Sequence, residues 1–220
     1  MQPSRPSSQR AITRPYLKAD CNRAFVNARD NTGISLLHAA AQIGCSQIVE
    51  HLLNYGAYVN CICMSRKGYT PLHFPVGTRN KEVITLLLSR GANVDVKAEG
   101  SITPLHIAAG KGNEEAVKLL LNRGADINAS TKGNLMPLHF ATRRGHGTVV
   151  NLLLQHGARV DNQDGDAETV LHSAVITGYF MIVEDVLKYC PDINNQSNRA
   201  LSKPQCAAME KGIKRLLKLF

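Results

Sequence analysis

The feature that most constrains this sequence is a four-residue pattern that recurs at a nearly constant interval. It reads SLLH at 35–38, TPLH at 70–73 and 103–106, MPLH at 136–139 and TVLH at 169–172, with spacings of 35, 33, 33 and 33 residues. Each copy continues into a leucine-rich segment such as AVKLLLNRGADIN. A period of this length is typical of repeat proteins, in which each copy is a small unit that packs against its neighbours.

Each copy carries the signals of two helices and a turn. Thr followed by Pro, as at Thr70 and Thr103, begins a helix, because Thr caps free amides and Pro suits the first helical position. Gly followed by Ala after the leucine run, as at Gly124, ends the second helix. Short polar stretches with Val or Ile beside Asn or Asp predict an extended turn. The predicted unit is therefore helix, helix, hairpin.

The TPLH tetrapeptide, the alanine pair after it and the LLL-x-x-GA-x-V/I-N segment together resemble the ankyrin repeat. The resemblance covers about residues 25–220 and implies an all-α solenoid of stacked helix-turn-helix units with short β-hairpin loops. It predicts a disordered basic segment at 1–24. The array that follows has five repeats, at about 31–65, 66–98, 99–131, 132–164 and 165–197, and a degenerate capping repeat at 198–220.

The formal charge of +9 resides at the two ends of the chain. Residues 1–30 carry six basic and two acidic residues, residues 198–220 carry six and one, and residues 31–197 carry 14 of each sign. A nucleic-acid-binding face on the body of the molecule is therefore not expected, and binding through the basic flanks would depend steeply on salt. No run approaches the roughly 20 apolar residues that span a bilayer. We expect a soluble monomer in the cytoplasm, with the nucleus as the alternative location.

Residues that could support chemistry are present, but their spacing favours none. One histidine recurs in each repeat, and repeats about 10 Å apart cannot bring equivalent imidazoles to one metal with bonds near 2 Å. Cys61 and Cys63 have no second pair at zinc-site spacing. Motifs for phosphate binding, acyl transfer and metalloprotease chemistry are absent. We expect no enzyme activity, cofactor or metal. The resemblance implies structural hydrogen bonds for the histidines and raises Asn128 as a hydroxylase substrate, although a turn-shaping role is favoured.

The resemblance also implies that hairpin tips and exposed first-helix residues bind a partner protein. By register, the candidates in copies two to four are basic or apolar and those in copy five are acidic: Arg66, Lys67, Tyr69, Ile102, Lys111, Lys132, Leu135, Arg143 and Arg144, then Asp164, Asp166 and Glu168. This polarity predicts a partner segment that is largely acidic, partly apolar and basic at one end, since charge complementarity sets orientation. Solvated surface charges without a role are the alternative.

The function predicted on these grounds is that of an adaptor or scaffold. One alternative is an inhibitor that masks a transcription factor, similar to the cytoplasmic inhibitors of NF-kappa-B, although those tend to be acidic. Another is the ankyrin part of a larger channel, toxin or ligase adaptor.

Copy two departs from the pattern at two positions. Pro75 replaces an Ala inside the first helix, and Arg79 stands where Gly usually ends it. An interior Pro removes a hydrogen bond, and a left-handed Arg is disfavoured. Copy two is therefore predicted to be locally weak, as a hinge, a decayed repeat or a local opening used by a partner.

Overall fold

The computed structural model describes residues 25–64, 67–166 and 168–189. Within these ranges the chain forms five consecutive pairs of α-helices: α1 Leu36–Ile43 and α2 Ser46–Asn54, α3 Pro75–Thr78 and α4 Lys81–Ser89, α5 Pro104–Gly110 and α6 Glu114–Asn122, α7 Pro137–Arg143 and α8 Gly147–Gln155, α9 Val170–Thr177 and α10 Phe180–Tyr189. The helices of a pair pack on each other and on their counterparts in the next pair. The predicted all-α stack is thereby confirmed, whereas the segments predicted at 1–24 and 198–220 lie outside the described residues.

The repeated tetrapeptide builds the start of each first helix. Thr103 is extended, with φ −99° and ψ 165°, and its backbone N–H donates to Nδ1 of His106 at 3.2 Å. Ser35, Thr70 and Thr169 make the same contact with the histidine three residues later. Met136, which has no hydroxyl group, retains the backbone hydrogen bond. Each histidine therefore caps its own helix.

One apolar core runs through all five helix pairs. Leu105 from α5, Leu120 from α6, Leu138 from α7 and Leu153 from α8 are all fully buried in it. Burying one such side chain stabilises the fold by about 1.5–3 kcal/mol. Because neighbouring repeats supply much of this burial, the pairs depend on one another for stability.

The first helix of copy two is interrupted at Pro75. A 3-10 turn over Pro71–His73 precedes α3, which is only four residues long. Arg79 ends α3 with φ +61°, a left-handed conformation that Gly44 and Gly178 adopt at the ends of α1 and α9. Both sequence irregularities thus have a local structural consequence.

Candidate functional site

The hairpin tips that connect successive helix pairs form a continuous row. Three backbone hydrogen bonds join neighbouring tips: Glu99 N–H to Lys67 O at 2.6 Å, Lys132 N–H to Gly100 O at 2.8 Å and Gly165 N–H to Gly133 O at 2.8 Å. Because these bonds involve backbone atoms, they hold the tips in fixed relative positions whatever side chains the tips carry.

The tip that enters copy two is longer than the others. Cys63 N–H donates to Tyr69 O at 2.8 Å and closes the turn across six residues, whereas Thr131 and Leu135 close theirs across four. The two extra residues of the 35-residue spacing therefore lie in a hairpin tip and not in a helix.

Two of the basic candidates, Arg66 and Lys67, belong to this longer tip. Arg66 lies outside the described residues. Lys67 is exposed, has a left-handed φ of +57° and lies 3.9 Å from Glu99 in an exposed ion pair. Such an exposed pair contributes little to stability, so Glu99 holds Lys67 only weakly.

The apolar tip candidates Tyr69, Ile102 and Leu135 are half-buried. The Tyr69 ring stacks on the His73 ring, with centroids 4.7 Å apart. The Leu135 carbonyl oxygen accepts a hydrogen bond from His106 Nε2 at 3.0 Å. Tyr69 and the Leu135 backbone are therefore each positioned by a buried histidine, of the same repeat and of the preceding repeat respectively.

The histidines are held in the neutral form. His106 Nδ1 accepts the Thr103 amide hydrogen, so the ring proton lies on Nε2, which donates to Leu135 O. Burial lowers the pKa of His73 to about 4 and the pKa of His139 to about 4. Buried neutral imidazoles that fix neighbouring backbone act as structural groups.

Lys111, Lys132 and Arg144 are exposed cations of this face that have no ion-pair partner among the described residues. Lys111 and Arg144 directly follow α5 and α7, one repeat apart, and Lys132 lies at the tip between them. The face therefore carries three exposed positive charges on copies three and four.

Arg143, one residue before Arg144, is not free in this way. Its guanidinium binds the Asp164 carboxylate and lies 3.4 Å from Glu168 Oε2, and its Nε donates to Ser173 Oγ at 3.3 Å. Asp164 is buried, and its Oδ1 accepts the amide hydrogens of Asp166 and Glu168, both at 2.9 Å.

These contacts change the picture predicted from the sequence. Arg143, Asp164 and Glu168 were expected to face a partner, but they engage one another across the junction of copies four and five. Asp166 alone of the acidic candidates is exposed. The polarised charge pattern is therefore largely neutralised inside the protein at that end.

Two apolar residues on the first helices were missed in the sequence. Ile107 and Phe140 are half-buried and precede Lys111 and Arg144 by four residues, so each shares a helix face with its cation. The Phe140 ring meets the His106 ring edge-on at 5.2 Å. Their repeated position directly after the histidine was a signal that could have found them.

Cys61 and Asn128 both serve the fold. Cys61 is buried with its Sγ 3.3 Å from Ser35 Oγ, and burial raises the pKa of its thiol. Asn128 Oδ1 accepts the Arg159 amide hydrogen at 2.9 Å, as Asn60 Oδ1 does for Asn93 at 2.8 Å. The predicted turn-shaping role of Asn128 thus extends to linking successive hairpins.

The described part of the chain offers neither a metal site nor a membrane-spanning helix. There, no three His, Cys, Asp or Glu side chains are grouped so that they could hold a metal ion. No helix in these ranges has the length and apolar character required to cross a membrane.

Comparison with known proteins identifies the same repeat along the chain. A family model described as "Ankyrin repeats (3 copies)" matches residues 10–98, 97–164 and 138–218.

Similar proteins include human BCL-6 corepressor-like protein 1, 46% identical over 68 residues, or 31% of this chain and 4% of that protein. Alpha-latrotoxin-Lg1a of Latrodectus geometricus is 32% identical over 82 residues, or 37% of this chain and 6% of the toxin. The Arabidopsis thaliana ADP-ribosylation factor GTPase-activating protein AGD4 is 39% identical over 70 residues, or 32% of this chain and 9% of that protein. The chain thus matches only a small part of each relative, and the feature shared is the repeat. It belongs to the ankyrin repeat family, a family of generally non-catalytic protein-interaction modules.

Proposed function

We propose that this chain is a non-enzymatic adaptor or scaffold that binds a partner protein on its hairpin tips and the exposed residues of its first helices. The row of tips joined by backbone hydrogen bonds supports this role most strongly. A row that is already ordered loses little conformational freedom on binding. It carries half-buried apolar side chains beside exposed cations, the combination of apolar contact and polar rim found in protein interfaces.

An acidic partner segment fits this face best. Lys111, Lys132 and Arg144 are exposed without a described ion-pair partner, and Lys67 has only a loose contact with Glu99. Exposed Asp166 at the far end favours a basic residue at one end of the ligand. Charge complementarity of this kind speeds association and fixes orientation.

We propose further that the protein acts as a monomer in the cytoplasm, with the nucleus as a second location.

The interaction part of a larger channel, toxin or ligase adaptor is the second candidate. The matched segments make up 4%, 6% and 9% of three long relatives, one of which is a toxin. An inhibitor that masks a basic transcription factor is less consistent with the exposed cations of copies three and four.

Site-specific photo-crosslinking tests the location of binding. A benzophenone amino acid is placed at Thr78 or at Asp166, both exposed on this face, and as a control at Gln155, exposed at the end of α8. After irradiation in nuclease-treated native lysate, we expect the same discrete protein adducts from Thr78 and Asp166 and none of them from Gln155. Adducts that form equally well from Gln155 would contradict the proposed face.

A further inference from the structure

A strip of apolar side chains runs along the tip and first-helix face of copies three and four. It is formed by Ile102 and Leu135 at the tips and by Ile107 and Phe140 on α5 and α7, and we call these four residues the apolar strip. All four are half-buried, so each offers part of its surface to solvent. His106 links two of them, since it bonds the Leu135 carbonyl and contacts the Phe140 ring.

Glycines of α3 and α5 lie directly against the two first-helix residues of the apolar strip. A methyl group at Gly77 would lie 3.5 Å from Ile107 Cγ2, and one at Gly110 would lie 3.2 Å from Phe140 Cδ1. The corresponding position in copy four is Arg143, whose side chain crosses to Asp164. Ile107 and Phe140 therefore pack against small residues of the preceding first helix and remain only partly buried, and the apolar strip ends at a polar contact before copy five.

Cations accompany the strip at a fixed offset. Lys111 follows Ile107 by four residues and Arg144 follows Phe140 by four, which places each cation one helical turn from an apolar residue. Lys132, at the tip between them, is also exposed. A ligand that fills the strip thus passes three cations that lack an ion-pair partner among the described residues.

We infer that the occupant of the apolar strip is an extended acidic peptide segment with two apolar side chains three residues apart. Packed helices lie about 8–10 Å apart, which sets the distance between equivalent sites on adjacent repeats. An extended chain of the polyproline type advances about 3.1 Å per residue and returns to the same side every third residue. A helix, which rises about 1.5 Å per residue, would cover the same distance in about six residues and return to the same face after about seven. This inference rests on the proposed protein-binding function and specifies its ligand.

Selection from a library of random linear peptides on the purified chain of 220 residues tests the inference. We expect enrichment of peptides with an apolar-x-x-apolar spacing flanked by Asp or Glu. A fluorescent peptide from the selection is then titrated by anisotropy. Moving the two apolar residues to a spacing of two or four, or replacing either with Ser, should weaken binding by about tenfold or more.

Charge reversal in the protein locates the site. The double variant Lys111→Glu with Arg144→Glu should weaken binding of the selected peptide by about tenfold or more. The control, Arg123→Glu with Arg159→Glu, makes the same charge change at two exposed residues outside the apolar strip and should bind as the parent does. All four changed residues are exposed, and circular dichroism of both variants verifies the fold.

The results separate this inference from the proposed function. Failure to enrich linear peptides, enrichment of basic or seven-residue-spaced helical peptides, or equal weakening by the two double variants would overturn the inference. If the crosslinks from Thr78 and Asp166 still capture a discrete partner in those cases, the proposed function stands. If those crosslinks are lacking as well, both are wrong.

Discussion

Arg143 on α7 and Asp164 in the following hairpin form an ion pair in which the carboxylate is buried. The same carboxylate caps its own turn by accepting two amide hydrogens through Oδ1. A single side chain therefore closes a hairpin and ties it to the preceding repeat. Removing one member of a buried pair leaves the other uncompensated, which usually costs several kcal/mol.

We predict that Asp164→Ala lowers the free energy of unfolding by about 2–4 kcal/mol, because the turn amides and the Arg143 guanidinium lose their acceptor. Urea denaturation followed by circular dichroism measures this change. Asp166→Ala, at an exposed neighbouring position, should stay within about 0.5 kcal/mol of the parent. Asp164→Asn keeps an oxygen at Oδ1 and should fall between them. Similar losses for Asp164→Ala and Asp166→Ala would show that the pair is not important.

The repeat period could be predicted from sequence because it depends on local signals repeated many times. Thr103 before Pro104 and Gly124 after the leucine run each act within a few residues of their position, and both end or begin helices as predicted. The core leucines recur at the same register, so their burial follows from the period.

The state of each charge at the candidate face could not be predicted in this way. Arg143 and Arg144 are adjacent residues of the same type. Arg143 nevertheless binds Asp164, 21 residues later, while Arg144 is exposed. Which of two neighbouring cations finds an acceptor depends on the distance between repeats and the direction of each side chain. Neither quantity is encoded in a local motif.

Arg79 occupies a left-handed position, with φ +61°, at the end of α3. This conformation costs an L-residue roughly 1–2 kcal/mol, which glycine avoids at the expense of unfolded-state entropy. We predict that Arg79→Gly raises the free energy of unfolding by about 0.5–1 kcal/mol, measured by urea denaturation.

A matched control for this substitution exists two repeats further along. Arg144 is also an exposed arginine at the end of a first helix, but its φ is −100°. Arg144→Gly should therefore lower stability by a few tenths to about 1 kcal/mol. The same sign of effect at Arg79 and Arg144 would contradict the strain assigned to Arg79.

The broken first helix of copy two should open more readily than its counterpart in copy three. α3 has four residues after a 3-10 turn, whereas α5 is a continuous seven-residue helix. Short helical segments have fewer internal hydrogen bonds that must break together. By native-state hydrogen exchange, amides of 72–78 should exchange about tenfold or more faster than those of 105–111. Equal protection of the two segments would exclude local weakness in copy two.

The buried histidines predict a loss of stability in acid. Burial lowers the pKa of His73 and the pKa of His139 to about 4 each, from the ordinary value of 6.5. The unfolded chain then binds more protons than the folded chain between these values, so stability is complete above about pH 6.5 and falls as the pH drops toward about 4. The size of the effect is of order 3 kcal/mol per histidine. Urea midpoints measured from about pH 7.5 to pH 4.5 should decline across this window. The side chain in His139→Gln cannot titrate, so this variant should show a smaller decline with falling pH, even if it is less stable at neutral pH. A midpoint that does not change between pH 7 and pH 5 would mean that these imidazoles become protonated in the folded chain about as readily as in the unfolded one.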